Sequence, residues 1–174
     1  AAAAFRPEYD AQGGDALRRW AGPIRVFAGG ETTREDLGTL YAFLEELAEK
    51  VEGLPAVGVV LQEEEANLTV WYAPLEELSR YEPGYVSGNW GYFAFRWNAA
   101  QEINRVNVVI ASDVTDQAAR NHLLLEEITG GLGLANDIDT EKDSILYQPW
   151  TTTQQLSDLR SEERRVGKEC SLTC

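Results

Sequence analysis

The sequence predicts a single α+β domain, and three observations lead to this prediction. Its 174 residues are enough for one domain with a sizeable core. A composition with 44% hydrophobic and 10% aromatic residues argues against disorder. Apolar runs typical of strands occur together with two longer stretches of helical periodicity. The runs lie at residues 24–28, 57–61, 68–72, 92–97 and 103–111, and the helical stretches at 32–53 and 116–132.

The chain begins with a segment that shows no clear period. Residues 1–22 mix aromatic, polar and glycine residues, which predicts an irregular lead-in with a short turn of helix at residues 16–20. The opening Ala1, Ala2, Ala3 and Ala4 resemble the small residues around a signal-peptide cleavage site, which favours a secreted or periplasmic protein. An alanine-rich linker is the alternative that these residues leave open.

The first long helix is the clearest element of the sequence. Thr32 or Thr33 is predicted to cap it, and Thr32-x-x-Glu35 has the form of a capping box. Apolar residues then recur at helical spacing until Gly53. They are Leu37, Leu40, Tyr41, Leu44, Leu47, Ala48 and Val51. The acidic outer face of this helix predicts a solvated surface.

Two strands and a hairpin follow the first helix. The strands at 57–61 and 68–72 are separated by the acidic residues 63–65, which are predicted to form a solvated turn. Residues 74–80 predict a short helix. The aromatic run 92–97 is predicted to pair with 103–111 as a hairpin, whose aromatic side chains fill the core on whichever face points inward.

The second long helix spans residues 116–132 in the prediction. Asp113 or Thr115 is expected to cap it, and glycines are expected to end it. Because side chains four residues apart lie on one helical face, His122 and Glu126 should be neighbours on the same stripe as Gly130.

Residues 126–137 have the spacing of the zinc-binding signature His-Glu-x-x-His-x-x-Gly-x-x-His. Its five defined positions are held by Glu126, Glu127, Gly130, Gly133 and Asn136. Further on, residues 144–147 match the Ser-Ile-Met-Tyr turn with leucine for methionine, and residues 155–159 match a Leu-Ser-x-x-Asp helix opening. The C-terminal third of the chain therefore resembles the metzincin metallopeptidases.

The same stretch is similar to a family of exported bacterial proteins of unknown function. In that family the motif reads Glu-Glu-x-x-Gln-x-x-Gly-Leu-x-Asn-Asp, and Gly130 departs from it by replacing the glutamine. The metzincin resemblance implies a zincin-like fold with a twisted mixed sheet, a long helix on its back, helix 116–132 under a cleft and a truncated last helix. It also implies an antiparallel edge strand that binds extended substrates beside the cleft, and the hairpin supplies the candidate strand.

The resemblance implies one metzincin-like domain at residues 1–159. Residues 160–174 resemble a translated sequencing adapter and are predicted to be foreign to the protein. Cys170 and Cys174 both lie in that segment, so the native part is expected to have no disulfide and no thiolate metal site.

The residues at the ligand positions argue against zinc. A catalytic zinc ion generally has three protein ligands, mostly histidines, and the chain has one histidine. Gly130 offers no side chain, and the amide of Asn136 is a weak zinc ligand. We therefore predict no metal site, and Glu127 at the place of the general base becomes vestigial.

The remaining polar residues of the predicted cleft are candidates for ligand binding. They are His122, Glu126, Asn136 and Asp137. His122 and Glu126 could pair or act as a small acid/base dyad, and a locally hydrogen-bonded histidine is the alternative. Residues 137–143 alternate acidic side chains as a calcium loop does, but Lys142 stands at its glycine position. A solvated acidic turn with at most weak calcium binding is predicted, and no cofactor.

The predicted function is a non-catalytic domain of the bacterial cell envelope that binds a peptide, protein or glycan, or that supports an assembly. The alternative is a metal-dependent hydrolase or peptidase with an atypical ligand set. A net charge of −14 argues against nucleic acid and anionic membranes as partners. No apolar run approaches the 18 residues of a membrane span.

Overall fold

The computed structural model describes residues 18–133. Within them, six strands form one sheet. They are β1 Arg19–Trp20, β2 Ile24–Gly30, β3 Val57–Val59, β4 Leu68–Ala73, β5 Gly91–Trp97 and β6 Glu102–Ala111. The same residues form the helices α1 Arg34–Lys50, α2 Leu78–Tyr81 and α3 Gln117–Gly131, with short 3-10 turns at Glu63–Glu65 and Leu75–Glu77. No helix in this range is both long and apolar enough to cross a membrane.

The sheet is mixed but mostly parallel. Its main path runs β3-β2-β4-β6, with all three pairings parallel, and β5 adds to β6 in the antiparallel sense. The two residues of β1 pair in parallel with the beginning of β6. The predicted combination of helices with a mixed sheet is confirmed. Because parallel pairings dominate, α/β describes it more closely than α+β.

Both long helices pack on the same face of the sheet. Their buried apolar residues share one core with alternate residues of the central strands, such as Val26, Val70 and Val108. The helical contribution is Leu40, Phe43, Leu44 and Leu47 from α1, and Leu123, Leu124, Leu125 and Ile128 from α3. A smaller cluster around Leu78 and Val109 covers part of the opposite face. The long helix predicted on the sheet's back therefore lies beside α3.

Thr33, one of the two predicted residues, caps α1, but the capping box is shifted by one residue from the predicted pair. The Thr33 side chain accepts a hydrogen bond from the Asp36 N–H, and the Asp36 carboxylate accepts one from the Thr33 N–H. Thr33 and Asp36 thus form the capping box in place of Thr32 and Glu35. Both pairs have the required spacing, but only Asp36 also pairs with Arg120 of α3.

The predicted turn of helix at residues 16–20 is wrong where the structure describes it. Arg19 and Trp20 form a strand with Glu102 and Ile103, and the Trp20 indole N–H donates a 3.2 Å hydrogen bond to the Gly131 carbonyl oxygen. Contacts distant in sequence override the local pattern at this position.

The predicted cap of α3 is also wrong. Asp116 is the N-cap residue, and its carboxylate accepts a 3.0 Å hydrogen bond from the Ala118 N–H. Asp113 instead accepts hydrogen bonds from the Leu75 N–H, at 3.3 and 3.4 Å, and so joins the ends of β4 and β6. Thr115 lies in the loop before the cap and is exposed.

Candidate functional site

The described residues of the predicted site lie on α3 or just after it. His122, Glu126, Glu127 and Gly130 are on the helix, and Gly133, at the predicted bend, follows its C-terminal end. Asn136 and Asp137 lie outside the described residues, as do the predicted turn at 144–147 and the acidic residues 137–143. The structure therefore shows how the helical half of the motif is packed.

His122 and Glu126 lie next to each other, one helical turn apart. The distance from His122 Nε2 to Glu126 Oε2 is 3.5 Å, and their side chains are 2% and 26% exposed. The prediction that these two side chains are neighbours on one helical face is thus confirmed. The pair is ionic only when the imidazole is protonated. A buried ring beside a half-buried carboxylate can hold a proton between them or bind a polar group of a ligand.

Glu127 does not face open space, although it takes the place of a general base. Its side chain is buried, and its carboxylate lies directly against the backbone of Gly91 at the start of β5. A Cβ atom added at Gly91 would overlap the Glu127 carboxylate and its Cγ atom. Glycine at position 91 is therefore what allows this carboxylate to approach the edge strand.

An aromatic ring packs against Gly130, which the motif aligns with a second zinc ligand. A Cβ atom added at Gly130 would overlap the Phe93 ring of β5. Phe93 and Phe95 pack against the larger core, and their ring centroids are 6.0 Å apart. The prediction that aromatic residues of the hairpin fill the core is confirmed for these two. Position 130 thus has no donor atom and no room for one unless the ring moves.

The last turn of α3 is closed by further glycine contacts. The Gly131 Cα faces Val106 of β6, where an added Cβ atom would lie 2.7 Å from a methyl group. Gly133 has a φ of +112°, which favours glycine, and an added Cβ atom there would lie 2.7 Å from the Arg18 carbonyl oxygen. Within residues 18–133, no group of three His, Cys, Asp or Glu side chains is placed to hold a metal ion.

A buried ion pair at the opposite end of α3 was not predicted from the sequence. Arg120 donates to both carboxylate oxygens of Asp36 through Nε and Nη2, and the two residues are 6% and 1% exposed. The Gln117 amide donates a further 2.9 Å hydrogen bond to Asp36. The remaining Arg120 nitrogen donates 2.5 Å to the Ser112 carbonyl oxygen. This network joins the beginnings of α1 and α3 to the end of β6.

The network shifts two pKa values. Burial is the largest influence on Asp36 and raises the pKa of its carboxyl, but hydrogen bonds from Arg120, Gln117 and Thr33 outweigh burial. The pKa of Asp36 therefore lies below its ordinary value of 3.8. Burial, and then the charge of Asp36, raise the pKa of the Tyr72 hydroxyl far above its ordinary range. Tyr72 stays neutral beneath the Arg120 guanidinium, which lies 5.1 Å from its ring centre.

A cleft of about 470 Å³ opens beside the beginning of α3. It is lined by Leu75, Trp90, Ala119 and the loop residues 113–116. Leu75 follows the carboxyl end of β4, and residues 113–116 follow that of β6, where open α/β sheets commonly bind ligands. The sequence signal that could have found this cleft is the cluster of polar residues after the strand at 103–111.

The outer edge of β5 presents backbone groups in a regular order. The Trp90 carbonyl oxygen accepts a 2.8 Å hydrogen bond from the Ala111 N–H. Hydrogen-bonded pairs alternate along an antiparallel ladder, so Tyr92, Ala94 and Arg96 face β6 with their backbone groups. Gly91, Phe93 and Phe95 direct theirs outward. Within residues 18–133, β5 pairs with β6 alone.

Comparison with known protein families gives a match over most of the chain. The model of a family described as "Protein of unknown function (DUF2927)" matches residues 1–159. The match includes the described helices and strands and the whole of the predicted motif. Its last matched residue is Leu159. No curated protein matches the chain.

Proposed function

Because the chain belongs to the DUF2927 family, whose function is unknown, we propose a function from its own geometry. The chain is a metzincin-like domain without a zinc centre, and it binds an extended peptide along the outer edge of β5. The observation that carries this proposal is the outer edge of β5, where the backbone groups of Gly91, Phe93 and Phe95 face away from β6.

The sheet supports the metzincin-like part of the proposal. Strands β3, β2, β4 and β6 run parallel in that order, and β5, the antiparallel strand of the sheet described for residues 18–133, lies next to α3. The resemblance implies an antiparallel edge strand of this kind beside the helix that carries the motif. The positive φ of Gly133 fits the bend that follows that helix.

The packing of α3 supports a role other than zinc hydrolysis. The carboxylate of Glu127 is buried against Gly91, whereas a general base must reach a metal-bound water. The imidazole at 122 lies one turn before the motif rather than within it. With glycine at 130, a zinc ion would lose one of the three ligands that a catalytic site needs.

The edge of β5 supports peptide binding. Strand addition obtains affinity from backbone hydrogen bonds and specificity from pockets for alternate side chains. The outward backbone groups of Gly91, Phe93 and Phe95 supply three consecutive pairing positions. Cell-envelope location is part of the same proposal.

A second candidate is a metal-dependent hydrolase with an atypical ligand set drawn from His122, Glu126, Glu127 and Asn136. The observation in its favour is the 3.5 Å approach of the His122 and Glu126 side chains, which places two donor atoms together. To bind a metal ion, the imidazole nitrogen and the carboxylate oxygen of this pair would both have to point at the ion.

Backbone-methylated peptides test strand addition. A peptide selected for binding to the full chain is synthesised with N-methyl groups on its odd or on its even residues. Since only alternate N–H groups face β5, one set should lose binding by about tenfold or more while the other retains it. Equal binding of both methylated peptides would refute strand addition.

Elemental analysis separates the two candidates. Purified protein is expected to contain zinc well below one equivalent, and zinc or a chelator should leave its melting temperature unchanged. A metal that binds the native state must raise that temperature. Stoichiometric metal with a chelator-sensitive melting temperature would favour the hydrolase.

A further inference from the structure

The cleft beside α3 combines an aromatic wall with apolar and acidic groups. Trp90 is 48% exposed and forms one side. Leu75, Val114 and Ala119 supply apolar surface. Asp113 and Asp116, which are both exposed, supply two carboxylates at the same cleft. A volume of about 470 Å³ is within the range of small-molecule pockets and is ample for one long side chain.

Both carboxylates retain capacity to accept hydrogen bonds. One oxygen of Asp116 accepts a hydrogen bond from the Ala118 N–H, and the Asp113 carboxylate accepts from the Leu75 N–H. An ionised carboxylate has about four lone-pair sites, so each has sites left for a ligand. The positive end of the α3 dipole favours anions, but the two carboxylates already occupy that end.

This set of groups fits an organic cation on an apolar stem. An ammonium or guanidinium group is attracted to the face of an indole ring and forms charge-assisted hydrogen bonds with carboxylates. The methylene stem of Lys or Arg packs on apolar side chains. An anionic ligand would meet two like charges on a protein whose net charge is −14.

The cleft lies at the end of the β5 edge. Trp90 immediately precedes Gly91, and its carbonyl oxygen is already paired with Ala111 of β6. We propose that the cleft binds a lysine or arginine side chain of the peptide that adds to β5. This inference rests on the proposed strand addition and specifies its ligand as a basic peptide.

Small-molecule probes test the cleft without any peptide backbone. The full chain, labelled with ¹⁵N, is titrated with the N-acetyl methylamides of lysine, arginine and norleucine, and the Trp90 indole N–H and residues 113–116 are followed by NMR. Norleucine has the apolar stem without the charge. The two cationic probes should shift these signals and bind at least about fivefold more tightly than norleucine.

Charge-removing variants locate the interaction. Asp113→Asn and Asp116→Asn keep an oxygen for the Leu75 and Ala118 N–H groups, so the fold should be retained. Each should weaken the cationic probes by about two- to fivefold. Glu64→Gln removes one charge from the exposed 3-10 turn that precedes β4, at the other end of that strand, and should leave binding unchanged. Equal binding of norleucine, or no shift at Trp90, would overturn the proposal.

The methylated peptides distinguish this inference from the proposed function. Replacing the lysine or arginine of the selected peptide by norleucine tests the cleft, whereas methylating its backbone tests strand addition. Loss of affinity on both changes supports both proposals. Loss on methylation alone leaves strand addition standing and refutes the cleft as a specificity pocket. Loss of affinity on replacement alone supports the cleft as the site of the basic side chain and refutes strand addition.

Discussion

The two ends of α3 are held in place by opposite means. At its C-terminal end, Gly130 and Gly131 remove side chains so that Phe93 and Val106 can approach the helix backbone. At its N-terminal end, Arg120 forms a buried ion pair with Asp36. The C-terminal end, whose sequence resembles a known metal site, is held by steric contact. The N-terminal end, which has no motif, contains the buried charges. The spacing of the motif therefore predicts the helix but not the ion pair between Arg120 and Asp36.

Breaking the ion pair should have the largest effect on stability. Arg120→Met leaves the Asp36 carboxylate buried without its counter-charge, and removing one partner of a buried pair typically costs about 3–5 kcal/mol. Urea denaturation followed by circular dichroism measures the free energy of unfolding. The double variant Asp36→Leu/Arg120→Met should lose less than Arg120→Met alone, because no charge is left buried. A loss below about 1 kcal/mol for Arg120→Met would show that the pair is not important for stability.

Acid should remove part of the same interaction. The pKa of Asp36 is lower in the folded protein than its ordinary value of 3.8. Its contribution is therefore fully present above that value and is lost as the pH falls through the folded-state pKa. Unfolding free energies of the native chain and of Asp36→Asn, measured from pH 6 down to the acid limit of folding, should converge at the acid end. A constant difference would contradict this assignment.

Gly130→Ala should weaken the other end of the helix. The added methyl group overlaps the Phe93 ring, and overpacking of this kind typically costs about 1–3 kcal/mol. Replacing the ring by a smaller side chain in the double variant Gly130→Ala/Phe93→Leu should recover part of the lost free energy of unfolding. If Gly130→Ala were neutral, the ring would not be fixed against the helix, and the second ligand position would be open.

Gly38→Ala is the matched control and should have the smallest effect, with the opposite sign. Gly38 lies in α1, is exposed, and would meet no atom within 4 Å of an added Cβ atom. Alanine there should stabilise the protein by about 0.4–1 kcal/mol, because it restricts the unfolded chain. The contrast between the two substitutions isolates the steric contact with Phe93 from helix propensity.

Much of the fold was predictable because it follows from local patterns. The periodicity of α1 and of α3, and the apolar runs of β2, β4 and β6, predict these elements to within a few residues. The strand at Arg19 and Trp20 was not predictable, because two residues carry no period and their partners lie far away on β6. Thr33 was one of two candidate caps, but the local sequence did not decide between the pairs Thr32/Glu35 and Thr33/Asp36, and only Asp36 also pairs with the distant Arg120.

The candidate site was predictable only along the helix. The i, i+4 spacing places His122 beside Glu126, and the structure shows these side chains in contact. The ring of Phe93 at Gly130 could not be derived, because it requires the register of β5 relative to α3. The ion pair joins residues 84 positions apart, and nothing in the local sequence of Asp36 or Arg120 identifies the other.

The order of the sheet has a consequence for synthesis of the protein. The buried strand β4 pairs with β2 on one side and with β6 on the other, and the residues joined across β4 and β6 are 38 positions apart. A nascent chain that has left the ribosome only as far as β5 therefore presents an unpaired apolar strand edge, which is prone to aggregate. Ribosomes stalled at a length at which β5 but not β6 has left the exit tunnel should consequently display a chain that holding chaperones bind, and emergence of β6 should end that binding.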